Sequence, residues 1–154
     1  MAEVQEKVKK LADKYGRERE SLMPILQGVI DDKNYLSKEC MVEIARELDL
    51  SAAEVYGTAS FYSFLETEER GEYVIRVCRS IIAEMKGKKK IIKTLENLLK
   101  VQVGGTTPCK KFTLLETNDI GWSDKEPSML INDQPYTELT PDKVVEIIAE
   151  YRKK

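Results

Sequence analysis

The 154-residue sequence contains no histidine. That single absence removes the commonest general base and the commonest neutral metal ligand. Serine–histidine, cysteine–histidine and zinc–histidine sites are excluded by inventory alone. Cysteine is scarce: Cys40, Cys78 and Cys109 are widely separated, odd in number and in no CxxC pair. Neither a disulfide framework nor a zinc ribbon is suggested. Long apolar runs are missing too, so no segment is expected to span a bilayer. The opening MAEVQEKVKK has no apolar stretch of the signal-peptide kind, and a cytoplasmic protein is expected. Charge of one sign is also lacking, the net formal charge being −2. Residues 1–70 hold 10 basic and 15 acidic side chains, and residues 71–154 hold 15 and 12. Neither part is basic enough to predict nucleic-acid binding.

What is present is enough apolar material for a core, 42% of residues, under a surface rich in charge, 34%. The charge balance shifts near Glu69-Arg70-Gly71, which divides the chain into a helical module over 1–70 and a second domain over 71–154. In the first part Val4, Val8, Leu11 and Tyr15 recur at helical spacing, with Gly16 as a stop. Leu22, Ile25, Leu26, Val29 and Ile30 form a second stripe, with Pro24 tolerated in the first turn. Ser37 is placed to cap a third helix burying Met41, Ile44, Ala45 and Leu48. Ser51-Ala52-Ala53-Glu54 is a capping box opening a fourth helix. Its aromatic extension, Tyr56, Phe61, Tyr62 and Phe64, is expected to pack this module onto the next domain.

After Gly71 the period changes from helix to strand. Glu72 to Cys78 reads as a strand with Tyr73, Ile75 and Val77 on one face. Ile91, Ile92, Leu95, Leu98 and Leu99 mark a helix ending near Val103-Gly104-Gly105. Phe112 to Glu116 and Ser128 to Ile131 are further strands. Asn132-Asp133 suits a hairpin turn into Gln134 to Tyr136, and Thr140-Pro141 opens a last helix. The fold class is α+β: an N-terminal helical module, then a βαβ–ββ–α arrangement of thioredoxin-like type.

Particular stretches carry a resemblance. ESLMPILQGVI, YLSKECMVEIARELDLS and AEVYGTASFYSF look like the helical module of the small iron–sulfur subunit of NADH:quinone oxidoreductase and NAD-linked hydrogenases. VYGTASFY is the most specific of these pieces. From Gly71 onward, GGTTP, KFTL and LTPDKVVEII resemble that family's thioredoxin-like [2Fe-2S] ferredoxin domain. The resemblance implies four cysteine thiolates around a cluster, two spaced C-x4-C after the first strand and two spaced C-x3-C after the second. It places those ligands at Cys78, Ala83, Asp119 and Ser123, with Lys86-Gly87, Gly121 and Pro127 holding the register.

Only the first of the four positions is cysteine. No cluster, metal or other cofactor is therefore expected, and Cys78 reads as a remnant at the end of a strand. Cys109 precedes the second strand, at the wrong end to substitute, and Cys40 sits in the helical module. The resemblance implies a structural or regulatory subunit docked on a flavin- and NADH-binding subunit, with no catalytic residues of its own. The alternative is an electron carrier that keeps a [2Fe-2S] cluster on Cys78, Asp119, Ser123 and an outside ligand. A third reading is a stand-alone adaptor or thiol protein, in which a helix N-terminus and Arg79 would lower the pKa of Cys78. Lys86-Gly87-Lys88-Lys89-Lys90 is expected to be a solvated loop and helix start. Asp119, Asp124 and Glu126 are expected to form an acidic surface loop rather than a cation site. Trp122 is expected to fill the volume a cluster would take, with a place at a partner surface as the alternative.

Overall fold

Four helices form where the sequence repeats apolar residues at helical spacing: α1 (Ala2–Tyr15), α2 (Leu22–Lys33), α3 (Lys38–Glu47) and α4 (Ala52–Phe61). They belong to a computed structural model that describes residues 2–153, in which the chain divides into two compact units, 1–70 and 71–154. The stripe of α1 runs through Val8 and Ala12, while Tyr15 is exposed. Gly16, at φ +97°, closes α1 by donating to the Ala12 carbonyl, a conformation open to glycine at no steric cost. The Ser37 hydroxyl caps α3 by accepting from Cys40 N, and Ser51 caps α4 by accepting from Glu54 N. Met41, Ile44, Ala45 and Leu48 join Ile25, Leu26, Val29 and Val55 in the core of this unit. The aromatics of the fourth helix and its extension lie outside this unit's core. Tyr56, Phe61, Tyr62 and Phe64 are all exposed, and the last three stack on one another at 5.0 and 5.5 Å between centroids.

The second unit runs β1 (Tyr73–Cys78), α5 (Ile81–Met85), α6 (Lys88–Leu99), β2 (Phe112–Thr117), β3 (Met129–Ile131), β4 (Gln134–Tyr136) and α7 (Pro141–Lys153). The sheet order is β2-β1-β3-β4, with β1 and β2 parallel and the other pairs antiparallel. Ile75 and Val77 enter a core shared with Leu114, Met129 and Ile131 from the sheet and Ile91, Leu95, Val144 and Ile148 from α6 and α7. Val74 and Cys78, on the opposite face of β1, are buried as well. The strand therefore buries residues on both of its faces.

Helix α6 stops at Leu99, four residues earlier than the glycine pair suggested, because Lys100 adopts a left-handed cap at φ +59°. The following segment then turns back along β2. Gly104 N donates to the Leu114 carbonyl at 2.7 Å, Leu114 N donates to Gly105 O at 3.0 Å, and Thr106 bridges Thr113. At the other side of the sheet β4 is three residues long with Pro135 in its middle. Helix α5 was not anticipated: it is a single turn capped by the Ser80 hydroxyl, which accepts from Ala83 N at 3.0 Å. No helix among the described residues is long and apolar enough to cross a membrane.

Candidate functional site

Parallel pairing decides where chemistry can gather in the second unit. The register runs from Tyr73 opposite Phe112 to Cys78 opposite Thr117. The loops leaving β1 and β2 therefore start side by side, and hydrogen bonds tie them together. Arg79 N donates to Thr117 O at 2.7 Å, and Cys78 N to Ser128 O at 3.0 Å. The Lys86 ammonium donates to the Asp124 carbonyl at 2.9 Å.

Lys88, in the middle of the basic run, is the clearest departure from expectation. It is buried rather than solvated, reaching Glu84 on α5 at 2.7 Å and Glu116 on β2 at 2.8 Å. Burial disfavours its charge, but the Glu116 and Glu84 carboxylates outweigh that and hold its pKa above the usual lysine range.

Three of the residues singled out from the sequence converge. The Cys78 sulfur and one carboxylate oxygen each from Asp119 and Glu126 lie within 4.8 Å of one another. Ser123 joins them through Asp119, to which its hydroxyl donates, while Gly121 N donates to the other Asp119 oxygen at 2.9 Å. These two bonds, the Ser123 hydroxyl first, hold the Asp119 carboxyl below its usual range. Ala83 contributes a fully buried methyl and no donor atom. Cys109 stands at the opposite end of β2, exposed, and Cys40 is buried in α3.

The Cys78 thiol is fully buried, and its pKa is pushed up, first by burial and then by the neighbouring Glu126 carboxylate. The Ser80 hydroxyl and the Ile120 backbone act the other way without reversing this. The lowered pKa considered for a helix N-terminus beside Arg79 is thus not what the environment produces, and at neutral pH the thiol is a poor nucleophile.

The burial of Glu126 is what sequence reasoning missed. The expectation of an acidic surface loop fails there, because Glu126 is 4% exposed, and its Oε2 has no hydrogen-bond partner among the described residues. The Ser80 hydroxyl donates to Oε1 at 3.5 Å. The signal was its position, two residues before the buried Ser128-Met129 that leads into β3. Trp122, by contrast, does not fill an interior volume. It is 38% exposed, with the Lys125 ammonium 5.3 Å from its ring centroid.

These residues do not fit a four-thiolate cluster. One thiol, one methyl, and a carboxylate and hydroxyl bonded to each other occupy the four expected positions. A [2Fe-2S] centre needs four soft anionic donors to complete two iron tetrahedra.

Comparison with known proteins bears on the whole chain. Residues 8–152 match the family described as thioredoxin-like [2Fe-2S] ferredoxin. The sequence is 34% identical over 151 residues to the E subunit of NADH-quinone oxidoreductase from Buchnera aphidicola, covering 97% of this chain and 88% of that one. It is 33% identical over 143 residues to the alpha subunit of the NAD-reducing hydrogenase HoxS of Cupriavidus necator. That match takes in 93% of this chain but only 24% of the hydrogenase chain. A crystal structure of an NAD+-reducing [NiFe]-hydrogenase superposes with a TM-score of 0.78 at 23% identity, over 86% of this chain and 23% of that one. At that identity the likeness concerns the fold.

Proposed function

The chain belongs to the thioredoxin-like [2Fe-2S] ferredoxin family, and from that premise we propose that it is a structural or regulatory subunit of an electron-transfer complex. The complex is of the NADH-dehydrogenase or NAD-linked hydrogenase type, after the relatives named above. The observation that carries the structural or regulatory role is Ala83, whose buried methyl stands where a second thiolate is required. Redox chemistry with NADH then belongs to the assembly, in the cytoplasm, and this chain supplies shape and contact surface.

The partner in this reading is the flavin- and NADH-binding subunit. Support comes from the apolar side chains around the loops that flank Cys78. Ile81 is 80% exposed and Met85 83% exposed on α5, and Trp122 lies on the loop that Lys86 ties to α5 through Asp124. Apolar and aromatic groups held at a surface in this way are characteristic of contact sites.

A second reading, the electron carrier with a [2Fe-2S] cluster on non-cysteine ligands, has one observation in its favour: Cys78, Asp119 and Glu126 do gather donor atoms at one place. Iron and acid-labile sulfide per chain, measured in anaerobically purified protein beside its visible spectrum, separate the two. Near-zero iron in folded protein is the expected result. Two irons and two sulfides per chain would sink the cluster-free reading. Comigration with a flavoprotein in native extracts is expected as well, whereas migration as a free monomer would favour a stand-alone protein.

A further inference from the structure

The end of β1 holds more acceptors than donors. Glu126 is almost completely buried, yet among the described residues Oε2 has no hydrogen-bond partner, and the carboxylate meets only a long contact from the Ser80 hydroxyl at Oε1 and the weak donor of the Cys78 thiol. The lysines nearby are engaged with other groups: Lys88 with Glu84 and Glu116, Lys86 with the Asp124 carbonyl. A buried carboxylate without a full set of partners is costly in a low-dielectric interior. Beside it stand a fully buried sulfur, Cys78, and the exposed carboxylate of Asp119.

We propose that Cys78, Asp119 and Glu126 form a mononuclear site for a divalent first-row cation, with zinc the best match. The donor set decides the class. Calcium and magnesium take oxygen ligands and would leave the sulfur idle, while copper(I) favours sulfur throughout. Zinc accepts thiolate and carboxylate together in a tetrahedron, at about 2.3 Å to sulfur and about 2.0–2.2 Å to oxygen. Such distances put neighbouring ligand atoms about 3.5 Å apart. The observed spread of up to 4.8 Å closes by a small movement of Asp119, the one exposed member. One coordination position then remains for solvent.

Charge points the same way. A thiolate and two carboxylates carry three negative charges, of which a divalent ion cancels two. As the sulfur–metal bond forms, the Cys78 proton leaves to solvent. The Ser80 hydroxyl, which caps α5 and faces Glu126 Oε1, orients that carboxylate from behind. This site is independent of the subunit role proposed above: it needs neither sulfide nor a partner chain.

The test is an anaerobic cobalt(II) titration of the chelator-stripped protein, followed by absorption, with zinc added afterwards. One cobalt per chain with a thiolate-to-cobalt charge-transfer band, bleached by one equivalent of zinc, is expected. Cys78→Ser should abolish the band. Glu126→Gln, which keeps the side-chain shape, and Asp119→Asn should each weaken binding at least about tenfold. Cys109→Ser should leave the band intact. No band at excess cobalt, in protein with native circular dichroism, would overturn the site. So would a band that survives Cys78→Ser, or unchanged affinity in folded Glu126→Gln protein. Failure here leaves the cluster-free reading standing, because that reading is decided by iron and sulfide in the protein as isolated.

Discussion

Replacing Lys88 with methionine should destabilise the second unit by about 2 kcal/mol. The lysine joins α5, α6 and β2 through two ion pairs, with its own side chain 5% exposed. Removing one partner of a fully buried pair costs about 3–5 kcal/mol. Here Glu84 and Glu116 keep 40% and 26% exposure, so water rehydrates them in the variant and lowers the loss. Methionine retains most of the aliphatic stem and so limits the packing term. Trp122 is the only tryptophan and lies in the same unit, so its fluorescence follows urea unfolding of that unit directly. With a slope near 2 kcal/mol per molar, the midpoint should fall by roughly 1 M. A double-mutant cycle with Glu116→Gln should return a coupling of about 1 kcal/mol or more. The pH dependence follows from the same contacts. The pKa of Lys88 is raised, so its contribution is complete below the ordinary lysine value of 10.5 and is lost as pH climbs through the higher folded value. Glu84, lowered by Lys88, contributes above the ordinary carboxyl value and loses that contribution as pH falls through its folded pKa. The gap between wild type and variant should be flat near neutrality and shrink at both extremes. A midpoint change under roughly 0.2 M, or no coupling with Glu116, would refute the account and make Lys88 an ordinary surface lysine.

Four further outcomes are expected. Alkylation of the native protein should modify Cys109 alone, with Cys40 and Cys78 reacting only after unfolding, as read by peptide mass spectrometry. The Thr107 hydroxyl, with help from the Lys111 backbone, lowers the Cys109 pKa, so its reaction rate should level off below the pH typical of a free thiol. Gly71→Ala should cost about 1–3 kcal/mol in the same urea assay, since a Cβ there would lie 2.9 Å from the Phe112 backbone. The triple variant Ala83→Cys, Asp119→Cys, Ser123→Cys, reconstituted with iron and sulfide, should bind two of each; a folded triple variant that binds none would refute the ligand register.

Most of the fold was legible because its signals are local. Ser37, Ser51 and Thr140 act as caps at the positions their spacing indicated, and the hairpin turn falls at Asn132-Asp133. Gly16 closes α1 for the same reason. Helix α5 was not legible, since one turn carries no period to read, and its cap Ser80 lay inside what looked like a ligand loop. The α6 terminus was misplaced because a left-handed Lys100 is chosen by the return of residues 101–106 onto β2, a tertiary demand. Within the candidate site, Cys78, Asp119 and Ser123 were found through spacing and resemblance. The burial of Glu126 and Lys88 was not legible, because a charged residue is read as exposed until its partners, supplied by other elements, are known.

The two margins of the sheet restrict how this protein can be held by another. Along β2 the outward hydrogen-bonding groups of Phe112 and Leu114 are already taken by Thr107, Gly104 and Gly105 of the same chain, which shortens that margin to its Glu116 end. Along β4 the exposed margin is three residues long and interrupted by Pro135, which has no N–H to give. Neither margin offers a long template for an incoming strand. Recognition by strand addition, the route by which many sheet proteins capture extended peptides, is restricted to short stretches on both sides. A partner of this unit is left mostly with side chains to grip, and specificity falls to surface shape and the loops more than to main-chain pairing.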